Sequence, residues 1–147
     1  MSRRMRRRCE SLRRVISALE YLKTRICVFD CTMKRALYDT ENAYGVCGIF
    51  SSAADNMDRD GLRGAWRRSV TESGGAAALD DGDVEILLSV GDRLGSTDSE
   101  NQRLNLEGAR ELLKRRLEEA EADYTQQGRL YRNCGLLCGM LTALLLL

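Results

Sequence analysis

Residues 97–147 read TDSENQRLNLEGARELLKRRLEEAEADYTQQGRLYRNCGLLCGMLTALLLL. Two regimes meet in this stretch. From Thr97 to Arg132 charged residues recur on nearly every turn, and Leu106, Ala109, Leu113, Leu117, Ala120 and Tyr124 fall at the spacing of one helical face. From Asn133 to Leu147 there is no charged residue. The pattern predicts a single helix that leaves water and enters a bilayer. Fifteen residues span roughly 22 Å as a helix, against a hydrocarbon core of roughly 30 Å that usually takes about 20 residues. A core helix or a shallow insertion would also fit that length. Three details favour the membrane. Arg129 and Arg132 precede the apolar run, Tyr124 and Tyr131 lie beside them as interfacial anchors do, and Leu144 to Leu147 offers water no polar face. The expectation is a short transmembrane tail at 133–147, with the arginines holding the preceding domain in the cytoplasm.

Upstream of the tail, Thr97-Asp98-Ser99-Glu100 fits a capping box, with Thr97 capping the Glu100 amide. Glu111–Arg115, Lys114–Glu118 and Arg115–Glu119 are i,i+4 pairs of opposite charge on the outer face. The helix and its tail together would extend roughly 75 Å. Before it, Asp80 or Asp81 suits a helix N-terminus; Val84, Leu87, Leu88 and Leu94 face inward, and Gly95 is a natural residue just past the end. Ser73-Gly74-Gly75 breaks the helix that precedes, Asp60 to Glu72, whose inward residues are Leu62, Ala65, Trp66 and Val70. Gly45 to Met57 forms another, with Val46, Ile49, Phe50, Ala53 and Met57 on one stripe. A short helix covers Thr32 to Asp39, and the first runs from about Cys9 to Cys27 on Leu12, Val15, Ile16, Leu19, Leu22 and Ile26. The fold class is therefore all-α: a bundle of about six helices, with a long last helix projecting from it. The expected organisation is a basic segment at 1–11, a cytoplasmic helical bundle at 12–132 and the membrane segment at 133–147.

A chain of 147 residues without proline, 31% charged and 5% aromatic, suits helices throughout one domain. Its net charge of +1 hides an asymmetry. Residues 1–35 hold eleven Lys and Arg against three acids, whereas residues 36–147 hold twelve against nineteen. The opening run, Arg3-Arg4-Met5-Arg6-Arg7-Arg8, suits anionic lipid headgroups or a solvated terminus. It could also serve a nucleic-acid arm, but no aromatic interleaves the arginines to stack on bases. No apolar segment follows it, so it is not a secretory signal.

The chain has no histidine, which removes histidine-based triads and general bases. There is no Gly-rich phosphate loop ending in Lys and Ser or Thr. Asp80, Asp81, Asp83 and Glu85 cluster without the spacing of a calcium loop, and helix capping accounts for them. Of six cysteines, Cys27/Cys31 and Cys134/Cys138 are four apart; read as small buried hydrophobes, they call for no metal. The reading is non-enzymatic, with no cofactor.

Leu94-Gly95-Ser96-Thr97-Asp98-Ser99-Glu100-Asn101-Gln102 resembles the hallmark Leu-Gly-x-(Ser/Thr)-Asp-x-x-x-Gln of the stage III sporulation protein AB family. Val84-Glu85-Ile86-Leu87 and Trp66 are similar to the family's preceding helices. Gly128-Arg129-Leu130-Tyr131-Arg132-Asn133-Cys134-Gly135-Leu136-Leu137-Cys138-Gly139 resembles its closing pattern, and a weaker likeness reaches back to Leu12 to Leu22. The resemblance implies a membrane protein of the mother cell in endospore formation. Its helical domain would be similar to the cytoplasmic domains of type II secretion F-type platform proteins. It would dock a cytoplasmic secretion-type ATPase to the mother cell–forespore channel, among other channel membrane proteins. Two departures stand out. Family members usually open with a transmembrane helix, where this chain has its basic run; a late start, a truncation or a lost anchor would account for that. They also often carry a proline before the second helix, which leaves the boundary from Asp30 to Met33 open.

Leu94, Gly95, Thr97, Asp98 and Gln102 are the family-motif candidates. Asp98 and Gln102 share a helix face, and either fix the turn between the last two helices or meet a partner. Gly135 and Gly139 form a GxxxG pattern that could pack on a second membrane helix. The competing function is a basic nucleic-acid-binding helical protein working through Arg3 to Arg14.

Overall fold

The computed structural model describes residues 2–29, 31–95 and 98–147, and the side chains of all of these except 124 and 126–128. It contains α1 (Arg3–Cys27), α2 (Met33–Tyr44), α3 (Ile49–Ser73), α4 (Asp81–Arg93) and α5 (Ser99–Leu146), with no strand among the described residues. α3 is broken at Gly61, whose φ of 76° and ψ of 158° lie outside the helical region, so six helical segments result. The break falls one residue inside the second of the two helices expected there. Asp60 lies before it, and the left-handed φ selects the glycine.

Local chemistry sets the ends. Ser2 caps α1 through the Met5 amide, Thr32 caps α2 through that of Arg35, and Asp80 and Asp83 form a reciprocal capping box on α4. α3 has a different arrangement. Its N-cap is Gly48, at φ 77°, which has no side chain to offer. Glu41 of α2 fills the place, its carboxylate accepting from the amides of Val46, Phe50 and Ser51 at 3.0, 3.1 and 3.3 Å. A carboxylate at a helix N-terminus is favoured by both the unpaired N–H groups and the macrodipole.

Each helix packs on its neighbour in the chain, and α5 closes the ring by packing on α1, the most extensive pair. The core they enclose includes Leu12, Val15, Leu19, Leu22, Leu37, Ile49, Phe50, Trp66, Val70, Leu87, Leu106 and Leu113, all about fully buried. Phe50 and Trp66 sit with ring centroids 5.5 Å apart, and the Trp66 indole N–H donates to the Leu87 carbonyl at 2.6 Å. The face predicted for the last helix is the one buried: Leu106, Ala109, Leu113 and Ala120 are in the core and Leu117 at its edge, while the Tyr124 side chain lies outside the described residues.

Three expectations need correction. α1 begins at Arg3 rather than near Cys9, so the basic run is helical. The expected outer-face pairs Glu111–Arg115, Lys114–Glu118 and Arg115–Glu119 are not among the ion pairs of the described residues; the last helix reaches other elements through other side chains, Glu107 to Lys23, Arg110 to Glu20 and Glu121 to Arg13. The third concerns the tail. No helix among the described residues is long and apolar enough to cross a membrane, where the expectation is a transmembrane tail at 133–147. The fifteen uncharged residues 133–147 fall short of the bilayer core, and lengthening the window toward the bundle brings in Arg132 and Arg129. Of the cysteines, all free, only Cys9 is buried; Cys27 and Cys31 are half-buried and Cys47, Cys134 and Cys138 exposed.

Candidate functional site

Two regions collect the residues that the sequence singles out: the turn from α4 to α5, and the end of α5 that leaves the bundle.

At the turn, Leu94 is the C-cap of α4. Its amide donates to the Val90 carbonyl at 3.0 Å and its side chain is buried. Gly95 follows at φ +86°, and a Cβ there would lie 2.8 Å from Leu62 Cδ2. Two reasons, backbone and packing, thus fix glycine at this position. Thr97 lies outside the described residues. Asp98 is the N-cap of α5, accepting from the Glu100 amide at 3.0 Å. Gln102, one turn on, is buried, and its amide donates to the Asp98 carbonyl at 3.1 Å. Of the motif residues, Leu94 and Gln102 are buried at the turn, while Gly95 and Asp98 are exposed there. A residue the sequence reading passed over completes it: Asn105 Nδ2 donates to the Val90 carbonyl at 3.0 Å, tying α5 to the end of α4.

The sequence reading also missed a charged cluster that holds α1, α4 and α5 together. Asp83 has no exposed side-chain surface. Arg8 grips it with Nε at 2.7 Å and Nη2 at 3.0 Å, the Arg116 Nε donates to its Oδ1, and the Asp80 amide donates to its Oδ2 at 3.2 Å. Arg116 also reaches both oxygens of Asp80 at 2.8 Å. Burial pushes the Asp83 carboxyl up, but hydrogen bonds from Arg8, Arg116 and the Asp80 amide outweigh it and hold the group below the usual carboxylate range. Asp83 keeps Arg8 and Arg116 more basic by the same bonds. Partners 75 and 33 residues away leave no periodic trace in a sequence.

This cluster removes arginines from the pool open to a nucleic acid. Arg8 belongs to Asp83, Arg7 donates to the Ala76 carbonyl at 2.6 Å, Arg13 pairs with Glu121, and Arg14 donates to the Gly45 carbonyl at 3.1 Å.

Beyond Glu121, α5 continues without a partner in the described structure. Arg129, Tyr131 and Arg132 are exposed, Tyr131 at 77%. Cβ atoms built on Gly135 and Gly139 meet nothing within 4 Å, so no helix among the described residues packs against the GxxxG face. Leu136, Leu137, Met140, Leu141, Leu144, Leu145 and Leu146 are all more than half exposed. A second outward surface, of mixed polar and apolar lining, lies on the bundle in a shallow groove between α4 and α5. Leu104 and Leu112 are exposed there on either side of Gly108, facing Ser89, Asp92 and Arg93. Among the described residues no group of His, Cys, Asp and Glu could hold a metal ion.

These features can be set beside known proteins. The chain is 27% identical over 107 residues to the stage III sporulation protein AB of Bacillus subtilis (strain 168), a match over 71% of this chain and 63% of the relative. A solved structure of a stage III sporulation protein AB superposes with a TM-score of 0.74 at 21% identity, over 82% of this chain and 98% of that one, a likeness of fold. The family model described as stage III sporulation protein AB matches residues 1–147, and the chain belongs to that family.

Proposed function

We propose that this protein is a non-catalytic, membrane-associated platform of the mother cell in endospore formation, which docks a cytoplasmic secretion-type ATPase to the channel between mother cell and forespore. The observation that carries the reading is the double character of α5. Its first half is built into the bundle through Leu106, Ala109, Leu113 and Ala120, and its second half leaves the bundle bare and apolar. A stiff helix shared by two surfaces is suited to joining two partners, because whatever holds one half fixes the position of the other. Membership of the sporulation family supplies the process. The ATPase falls to the bundle, whose outward groove exposes Leu104 and Leu112 beside Ser89, Asp92 and Arg93, apolar contacts within a polar rim.

The test is a pull-down of the full chain from detergent-solubilised sporulating cells, with the ATPase as expected prey. Recovery that is lost in Leu104→Glu/Leu112→Glu, with an unchanged melting curve, supports docking at that groove. Absence of the ATPase with the unaltered chain removes the coupling role.

A further inference from the structure

α1 and α5 run antiparallel. Arg13 pairs with Glu121, Lys23 with Glu107 at 3.2 Å, and the Cys27 thiol points to the Ser99 carbonyl at 3.7 Å. The first turns of α1 therefore lie at the end of the bundle from which α5 departs. Arg3, Arg4 and Arg6 are seven to ten residues back from Arg13, and Arg129 and Arg132 are eight to eleven residues on from Glu121. At the helical rise both groups sit roughly 10–17 Å beyond the Arg13–Glu121 pair. Two basic clusters more than a hundred residues apart thus meet at one level, just below the apolar end of α5.

All five arginines are exposed. Residues 2–9 and 124–147 contain no acid, and the nearby Asp80 and Asp83 are already held by Arg8 and Arg116. Above this level come Leu136, Leu137, Met140, Leu141, Leu144 and Leu145, bare on every side. Solvated charge below and uncompensated hydrocarbon above is the profile of a surface whose own dielectric changes over the same distance. A nucleic acid would match the arginines but give the leucines nothing.

We infer that Arg3, Arg4, Arg6, Arg129 and Arg132 form a collar that binds the headgroups of an anionic lipid surface, with the apolar end of α5 entering the hydrocarbon. The inference deepens the membrane association proposed above. Arginines at the surface draw the helix to negative headgroups, and the leucines then hold it by burial.

The test is co-sedimentation of the full chain with phosphatidylcholine vesicles, with and without phosphatidylglycerol, over a salt series and with no ATPase present. Failure of ATPase docking therefore leaves this test untouched. The expected result is binding that requires phosphatidylglycerol and weakens with salt. Neutralising an arginine should cost about five-fold, the equivalent of ~1 kcal/mol per basic residue near an anionic surface. Arg3→Gln/Arg4→Gln/Arg6→Gln should therefore lose about 100-fold and Arg129→Gln/Arg132→Gln about 25-fold. Arg7 and Arg8 stay in place because they hold Ala76 and Asp83. Leu137→Asp/Leu144→Asp should abolish what survives high salt. Equal binding to both vesicle types, or loss with one arginine group and none with the other, would overturn the collar. So would equally tight binding to a short DNA duplex that ignores Leu137→Asp/Leu144→Asp.

Discussion

The two halves of α5 share a backbone and almost nothing else. In the half within the bundle, the stripe Leu106, Ala109, Leu113 and Ala120 recurs every three or four positions and is covered by other helices, with Leu104 and Leu112 left outside it. In the projecting half apolar residues surround the axis and nothing among the described residues covers them. A one-sided stripe is satisfied by a protein's own core, whereas an all-round apolar surface asks for an apolar medium or a partner. The difference assigns stability to one half and association to the other.

The largest effect that separates the halves comes from a charge placed in each. Leu113→Asp puts a carboxylate at a fully buried position and should leave no cooperative thermal transition. Leu141→Asp, at 61% exposure, should leave the bundle's melting unchanged within about 0.5 kcal/mol. Equal melting of the two variants would break the contrast.

Next in size is the cluster that locks α1 to α4 and α5. Asp83→Asn strips the negative charge from between Arg8 and Arg116. Breaking a buried pair costs about 3–5 kcal/mol. Water reaches both arginines, so about 2–3 kcal/mol is expected in urea unfolding at neutral pH. The pH dependence has a definite sign. The folded carboxyl lies below its unfolded value of about 3.9, so its stabilisation is present above that pH and is lost as pH falls through the folded value. The Asn variant should lose that part of the acid limb.

Smaller again is Gly91→Ala. The added Cβ would lie 2.3 Å from Cδ1 of Trp66, which is fully buried and tied to Leu87, so about 1–3 kcal/mol of overpacking is expected. Gly95→Ala should cost least, about 1 kcal/mol, mostly for a left-handed φ, because the half-buried Leu62 side chain can turn aside. A larger loss at Gly95 than at Gly91 would mean that the turn, rather than the Trp66 contact, fixes α4.

What could be read from the sequence was what is local. The stripes of all the helices were legible because burial follows a short period, and the ends at Thr32, Asp80 and Gly95 because caps act within one turn. The start of α1 was hidden because its first turns offer arginines in place of an apolar stripe. Glu41 capping the next helix, Asn105 holding Val90, and Arg8 meeting Arg116 on Asp83 join residues with no shared period. The uncharged tail was plain to see. Whether it crosses a bilayer is a comparison with the membrane's thickness rather than a property of the residues, and no helix among the described residues is long and apolar enough to do so.

The two roles assigned to α5 can be tested together by hydrogen exchange on the full chain, alone, with the ATPase, and with phosphatidylglycerol-containing vesicles. The account predicts fast exchange in 129–147 for the free chain, slowed by vesicles and not by the ATPase, and slowing around Leu104 to Leu112 by the ATPase and not by vesicles. Protection of the same residues by both partners, or a projecting end already protected in the free chain, would contradict it.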